Sequence, residues 1–266
     1  MKHSKTMLFQ VDAFTDKPFA GNPAAVCLLE QPRDAVWMQS VANEMNLSET
    51  AFVRPLDKGF ELRWFTPLME VDLCGHATLA AAHILWDQGC LSKGEEAHFQ
   101  TRSGCLTVRQ ENHRYVLDFP VVPVTDIKAP PGLFRALDIQ TGNIFFNQAD
   151  YLVQLADEAE VRGIQPDFRA LAKIKARGVI VTAKSTQPTY DFMSRFFAPA
   201  CGIDEDPVTG SAHCTLAPFW AQRLGKQMMR AFQASGRSGE LLVELRDDRV
   251  LLTGQAVTVF RGELYV

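Results

Sequence analysis

Two stretches of this chain carry the same local text. Arg63-Trp64-Phe65-Thr66-Pro67 leads into Asp72-Leu73-Cys74-Gly75-His76-Ala77 and then an apolar helix that stops near Gly89. Arg195-Phe196-Phe197-Ala198-Pro199 leads into Asp206-Pro207-Val208-Thr209-Gly210-Ser211-Ala212-His213 and then an apolar helix that stops near Gly225. The match extends outward on both sides. An amphipathic helix over Asp34–Met45, with Asp34 as its N-cap, is answered by one over Pro166–Lys175. The strand Ala51-Phe52-Val53 is answered by Val179–Thr182. Phe99-Gln100-Thr101 and Ser103-Gly104-Cys105-Leu106 are answered by Phe232-Gln233-Ala234 and Ser238-Gly239-Glu240-Leu241. Matches that recur in one order imply an internal duplication. The expected fold is α+β with pseudo-twofold symmetry, each unit a set of mostly antiparallel strands around one central, alanine-rich helix.

The best linker is Val121–Pro131, which holds a Pro-Pro step. It divides the chain into an N-terminal unit, 1–120, and a C-terminal unit, 121–266, with terminal strands able to cross between them. At 266 residues and 47% hydrophobic, the chain is long enough for two cores of about 130 residues each. A net charge of -4 gives no basic footprint for nucleic acid. No apolar run is long enough for a membrane span, and the run within Met1–Gln10 is too short for a signal peptide. The six cysteines form no C-x-x-C pair and read as reduced thiols, mostly in the core. A cytoplasmic protein is expected.

A helix start presents unpaired N–H groups and partial positive charge, so each turn suits an anion. Glycine at each lets the backbone approach a ligand closely. No phosphate loop is present, which favours a small carboxylate, and the gap between the two units is the default place for it. Glu49 stands where a helix gives way to an apolar strand. It reads either as a proton carrier, with a pKa raised by desolvation, or as a turn or capping glutamate. The second copy has Gly178-Val179 near this place, so the fold itself does not require the acid. Asp206 reads as a turn aspartate or as a hydrogen-bond acceptor that orients His76. The helix start is expected to depress the pKa of His76, making it a neutral donor. Cys74, at the same start, reads as a candidate activated thiol. No acid lies at i+4 from His76, which argues against a metal there.

Together, Asn46-Leu47-Ser48-Glu49-Thr50, Gly75-His76, Glu205-Asp206-Pro207-Val208-Thr209-Gly210-Ser211-Ala212 and the opening Asp12-Ala13-Phe14…Gly21-Asn22-Pro23-Ala24-Ala25-Val26 resemble the phenazine-biosynthesis isomerase (PhzF-like) family. The resemblance covers nearly the whole chain. It implies the diaminopimelate epimerase-like fold, two barrel-like sheets each wrapped on a helix, with the active site in the cleft between them. It also implies cofactor-free, metal-free proton transfer on a small, cyclic, anthranilate-like carboxylate, in a homodimer. Glu49, His76, Asp206 and Ser211 match the catalytic positions. The substrate would be held by Asn22, Ser48, Cys74, Gly75 and Ala77 in the first unit and by Thr209 and Gly210 in the second. The related epimerases use one cysteine in each turn. Here Thr209 stands opposite Cys74, which favours one-base isomerisation by Glu49 over two-thiol epimerisation.

Overall fold

The computed structural model describes residues 6–265, so the first residues of the Met1–Gln10 segment lie outside it. The chain divides into two compact units. One comprises Met1–Asp118 with Thr253–Val266, the other Phe119–Leu252. Among the described residues, no helix is long and apolar enough to cross a membrane.

In chain order the first unit contains β1 (Thr6–Ala13), β2 (Asn22–Leu28), α1 (Ala35–Met45), β3 (Glu49–Pro55), β4 (Phe60–Phe65), β5 (Glu70–Val71), α2 (Gly75–Asp87), β6 (Glu96–Thr101), β7 (Gly104–Glu111) and β8 (Arg114–Pro120). The second contains β9 (Thr125–Asp126), α3 (Leu133–Leu137), β10 (Asn143–Phe146), β11 (Asp150–Gln154), α4 (Glu158–Gly163), α5 (Phe168–Leu171), β12 (Gly178–Lys184), β13 (Phe192–Ala198), β14 (Ile203–Asp206), α6 (Gly210–Leu224), β15 (Met228–Gln233) and β16 (Gly239–Arg246). The chain leaves through β17 (Arg249–Gly254) and returns to the first unit as β18 (Ala256–Leu264), antiparallel to β1.

In the first unit α2 packs on β1, β2, β3 and β18. Nine of its residues are buried, from His76 to Leu85, because alanines at 77, 80, 81 and 82 let the sheet approach closely. Side chains alternate faces along a strand. Ala25, Cys27 and Leu29 therefore turn the other way, joining Phe52, Phe65 and the Met38, Val41 and Ala42 stripe of α1 in a second layer. The ladder is open, not the closed barrel that a wrapped sheet suggests.

The second unit repeats the pairing scheme. β2–β3 and β11–β12 are parallel, β3–β4 and β12–β13 antiparallel, and β4–β6 and β13–β15 parallel. An arginine–glutamate fork recurs as well. Arg63 Nε and Nη2 donate to Glu70 at 2.7 and 2.9 Å, and Arg195 Nε and Nη2 donate to Glu205 at 2.7 and 3.0 Å.

Three expectations change. The helix over Pro166–Lys175 is only the short α5, which starts at Phe168 behind its Asp167 cap and stops at Leu171, where the chain runs on into a polar turn. Strand register aligns Gln233 with Thr101 rather than Gln100, since Phe192 faces Ala231 where Phe60 faces Phe99. Of the six free cysteines, 27, 74 and 214 are buried and 90, 105 and 201 are exposed, so half lie outside the core.

Candidate active site

The first unit places Asn22, Glu49 and Cys74 around the imidazole of His76, with Ser48 beside Asn22. Three backbone devices put them there. Asn46 ends α1 in the left-handed region (φ 50), its N–H closing on Ala42 O, and the chain turns so that Glu49 opens β3. Gly21, at φ +65, turns the chain so that Asn22 opens β2 opposite Ala13. A Cβ on Gly21 would sit 2.2 Å from the Ala13 carbonyl oxygen, so only glycine fits. Cys74 is the N-cap of α2 and makes no side-chain cap, leaving its thiol to face His76.

Asn22 Nδ2 lies 3.1 Å from His76 Nδ1, and Cys74 Sγ lies 3.5 Å from the same nitrogen. The other nitrogen, Nε2, lies 3.1 Å from Glu49 Oε2. That approach is close enough for an ion pair, but its angle is not that of a hydrogen bond. Both buried atoms therefore lack a hydrogen-bond partner. The Glu49 side chain keeps 13% exposure. A buried carboxylate oxygen held this way is poised to exchange a proton with something placed beside it.

Burial works against a charge on His76, but the adjacent Cys74 and Glu49 outweigh it and hold its pKa well above the usual histidine value. This reverses the depressed pKa expected from the helix start. A carboxylate 3.1 Å away dominates a helix-terminal partial charge. The activated-thiol expectation for Cys74 also fails. Burial, aided by the charge of Glu49, pushes that thiol up to about 11. Glu49, Cys74 and His76 bring a carboxylate, a thiol and an imidazole within 4.8 Å. The thiol and the carboxylate face opposite ring nitrogens, so one ion cannot bind all three without rearrangement.

The second unit builds the matching turn differently. Thr209 Oγ1 donates to Asp206 Oδ2 at 2.5 Å, and Thr209 N donates to Gln233 Oε1 at 2.8 Å. Gln233 Nε2 donates to Asp206 O at 2.8 Å and to Thr209 Oγ1 at 3.1 Å. Gly210 is buried and Ser211 half-buried in the first turn of α6. His213 Nδ1–H donates to Thr209 O at 2.8 Å, where Thr78 Oγ1 donates to Cys74 O in the first unit. Sequence reasoning missed Gln233 and His213. The available signal for Gln233 was an amide ending an otherwise apolar strand beside a Ser/Gly turn. Strand register puts Gly178 at the place of Glu49: Val179 faces Phe197 as Thr50 faces Phe65. A Cβ on Gly178 would meet Phe196 Cζ at 2.4 Å.

A model of phenazine biosynthesis-like proteins matches residues 11–262. An uncharacterised isomerase of Halalkalibacterium halodurans is 52% identical over 260 residues, covering 97% of this chain and 98% of that one. The crystal structure of a PhzF-family phenazine biosynthesis protein from Enterococcus faecalis superposes with a TM-score of 0.94 at 41% identity, covering 99% of this chain and 100% of that one. A hydroxyproline epimerase from Agrobacterium vitis, at 10% identity and a TM-score of 0.66, covers 100% of this chain and 93% of that one and shares the fold alone. The chain belongs to the phenazine biosynthesis-like PhzC–PhzF family and is an isomerase of that family.

Proposed function

We propose that this isomerase moves a proton within a small carboxylated metabolite, with Glu49 as the single acid–base group and no cofactor. The observation that supports this is Glu49 Oε2, buried, without a hydrogen-bond partner, and facing His76 Nε2. As a carboxylate, Glu49 takes a proton from one carbon of the substrate, and the electron pair of the broken C–H bond passes into the adjoining conjugated system. Glu49, now a carboxylic acid, returns the proton to a different carbon and is a carboxylate again. His76 Nε2 faces the carboxylate at 3.1 Å and orients it. The backbone N–H groups at Gly75 and Gly210, with Asp206 and Ser211, are assigned to substrate binding and orientation on the strength of the family likeness. An epimerase using Cys74 as a second base is disfavoured, because burial holds that thiol at about 11 and Thr209 occupies the matching place.

The test is proton exchange followed by NMR in deuterated buffer. Wild type and Glu49→Gln are incubated with dihydro-hydroxyanthranilate and a panel of small cyclic and amino-acid carboxylates. Deuterium entering at carbon with wild type alone supports the reading, and a label at a carbon other than the one deprotonated identifies an isomerase. Equal exchange in both proteins removes Glu49 from the role.

A further inference from the structure

The imidazole of His76 has two nitrogens with different neighbours, and only one of them faces Glu49. Which nitrogen carries the ring proton therefore decides what the carboxylate sees. An amide nitrogen can donate but not accept. Asn22 Nδ2 lies 3.1 Å from Nδ1, and this contact is a hydrogen bond only if Nδ1 offers its lone pair. Ser48 Oγ lies 3.5 Å from Asn22 Oδ1, a long contact that favours the same amide orientation because the hydroxyl donates to the oxygen. The Cys74 thiol, kept protonated by burial, approaches the same Nδ1 at 3.5 Å. Two donors thus converge on Nδ1, and the proton of the neutral ring is left on Nε2, 3.1 Å from Glu49 Oε2. In the other tautomer an N–H would meet the amide N–H head on, and a lone pair would face the carboxylate.

We propose that Asn22 is a positioning residue: its amide holds His76 in the form that presents Nε2–H to Glu49. Asn22 suits this task because it is fully buried and fixed at the first residue of β2 by the Gly21 turn. Its side chain acts on the reaction through the ring. A second proton can enter the ring only at Nδ1, where it meets the donating end of the amide until the amide turns over. The functional meaning of this assignment rests on Glu49 being the proton carrier, but the assignment itself does not.

The test uses the free protein with nitrogen-15-labelled histidine. The His76 signals are identified by their loss in His76→Gln. Above the pH at which the ring titrates, wild type is expected to show an unprotonated Nδ1 and a protonated Nε2. Replacing the amide by a hydrocarbon in Asn22→Leu removes one net hydrogen bond, so the Nδ1–H form is expected to rise about fivefold relative to the other. Asn22→Asp keeps the size of the side chain and reverses its demand. Its carboxylate accepts from Nδ1–H, and the doubly protonated ring is expected to persist to higher pH. A tautomer ratio unchanged in Asn22→Leu, together with an unchanged titration in Asn22→Asp, overturns the proposal. A change that appears only in Asn22→Leu/Cys74→Ala assigns the control to the thiol and overturns it as well. Neither readout needs turnover, so failure here is distinguishable from failure of the proton-transfer reading.

Discussion

At the start of α2, Glu49 Oε2 and His76 Nε2 face each other without a hydrogen bond. At the start of α6, hydrogen bonds join Asp206, Thr209 and Gln233 across the turn. The spacing is the same in both: a glutamate on the arginine fork, three residues entering the turn, a capping residue, then glycine. Duplication therefore supplied one scaffold twice, and side chains alone distinguish the copy that carries Glu49 from the copy that carries Gly178. Where the first copy has Glu49, the second has Gly178 covered by Phe196, and Arg177 lies over that ring while forking onto Asp150. Glu49 Oε2 and His76 Nε2 are both buried without a hydrogen bond, and they lie on the copy that carries the acid.

The comparison breaks first if Glu49 proves dispensable. Glu49→Gln is expected to lower proton exchange by roughly 10³-fold, about 4 kcal/mol of barrier, while leaving the urea midpoint nearly unchanged. The second copy has its own signature in pH. His213 is neutral and wholly buried, with its pKa lowered to about 4 by burial against an opposing hydrogen bond to Thr209 O. The unfolded chain protonates this residue near 6.5 and the fold does not. Its contribution is thus present above pH 6.5 and is lost as pH falls toward 4, about 3 kcal/mol in all. Urea unfolding across that window should show the loss, and His213→Thr, which installs the residue found at the matching place in α2, should flatten it.

Gly178→Ala sharpens the contrast at the strand. It is expected to cost about 2 kcal/mol, because the new methyl group overlaps the Phe196 ring. The mirror change, Glu49→Gly, should cost only about 1 kcal/mol of stability, as for any glycine placed in a strand. The smallest difference concerns the two forks. Arg195 Nη1 also donates to Ile164 O at 2.8 Å, whereas Arg63 shares Glu70 with Arg102. Arg195→Lys should therefore destabilise more than Arg63→Lys, by about 1 kcal/mol, in parallel thermal melts.

Much of this was legible in the chain itself. The repeated order of turns gave the duplication, and Gly178 was read near the place of Glu49. What escaped has physical causes. A helix can be foreseen from its apolar spacing, but the one expected over Pro166–Lys175 stops at Leu171. A one-residue offset between Gln100 and Gln233 is invisible without the pairing of β13 with β15. The direction of the His76 pKa depends on a carboxylate 27 residues away in sequence, which local rules for a helix start cannot contain. Gln233 was missed because its partners, Asp206 and Thr209, meet it only after the strand is laid beside the turn.

The pairing of β18 with β1 has a consequence for how the molecule is made. Thr6 is matched with Leu264, so the sheet of the first unit takes its outer strand from the far end of the chain. On the ribosome, Phe119–Leu252 is complete before that strand emerges, while β1 waits with one edge of its backbone unpaired. The unit that begins synthesis is completed last, by a pairing that closes a loop nearly as long as the chain. Until β18 arrives, that edge of β1 is open to pairing with another chain.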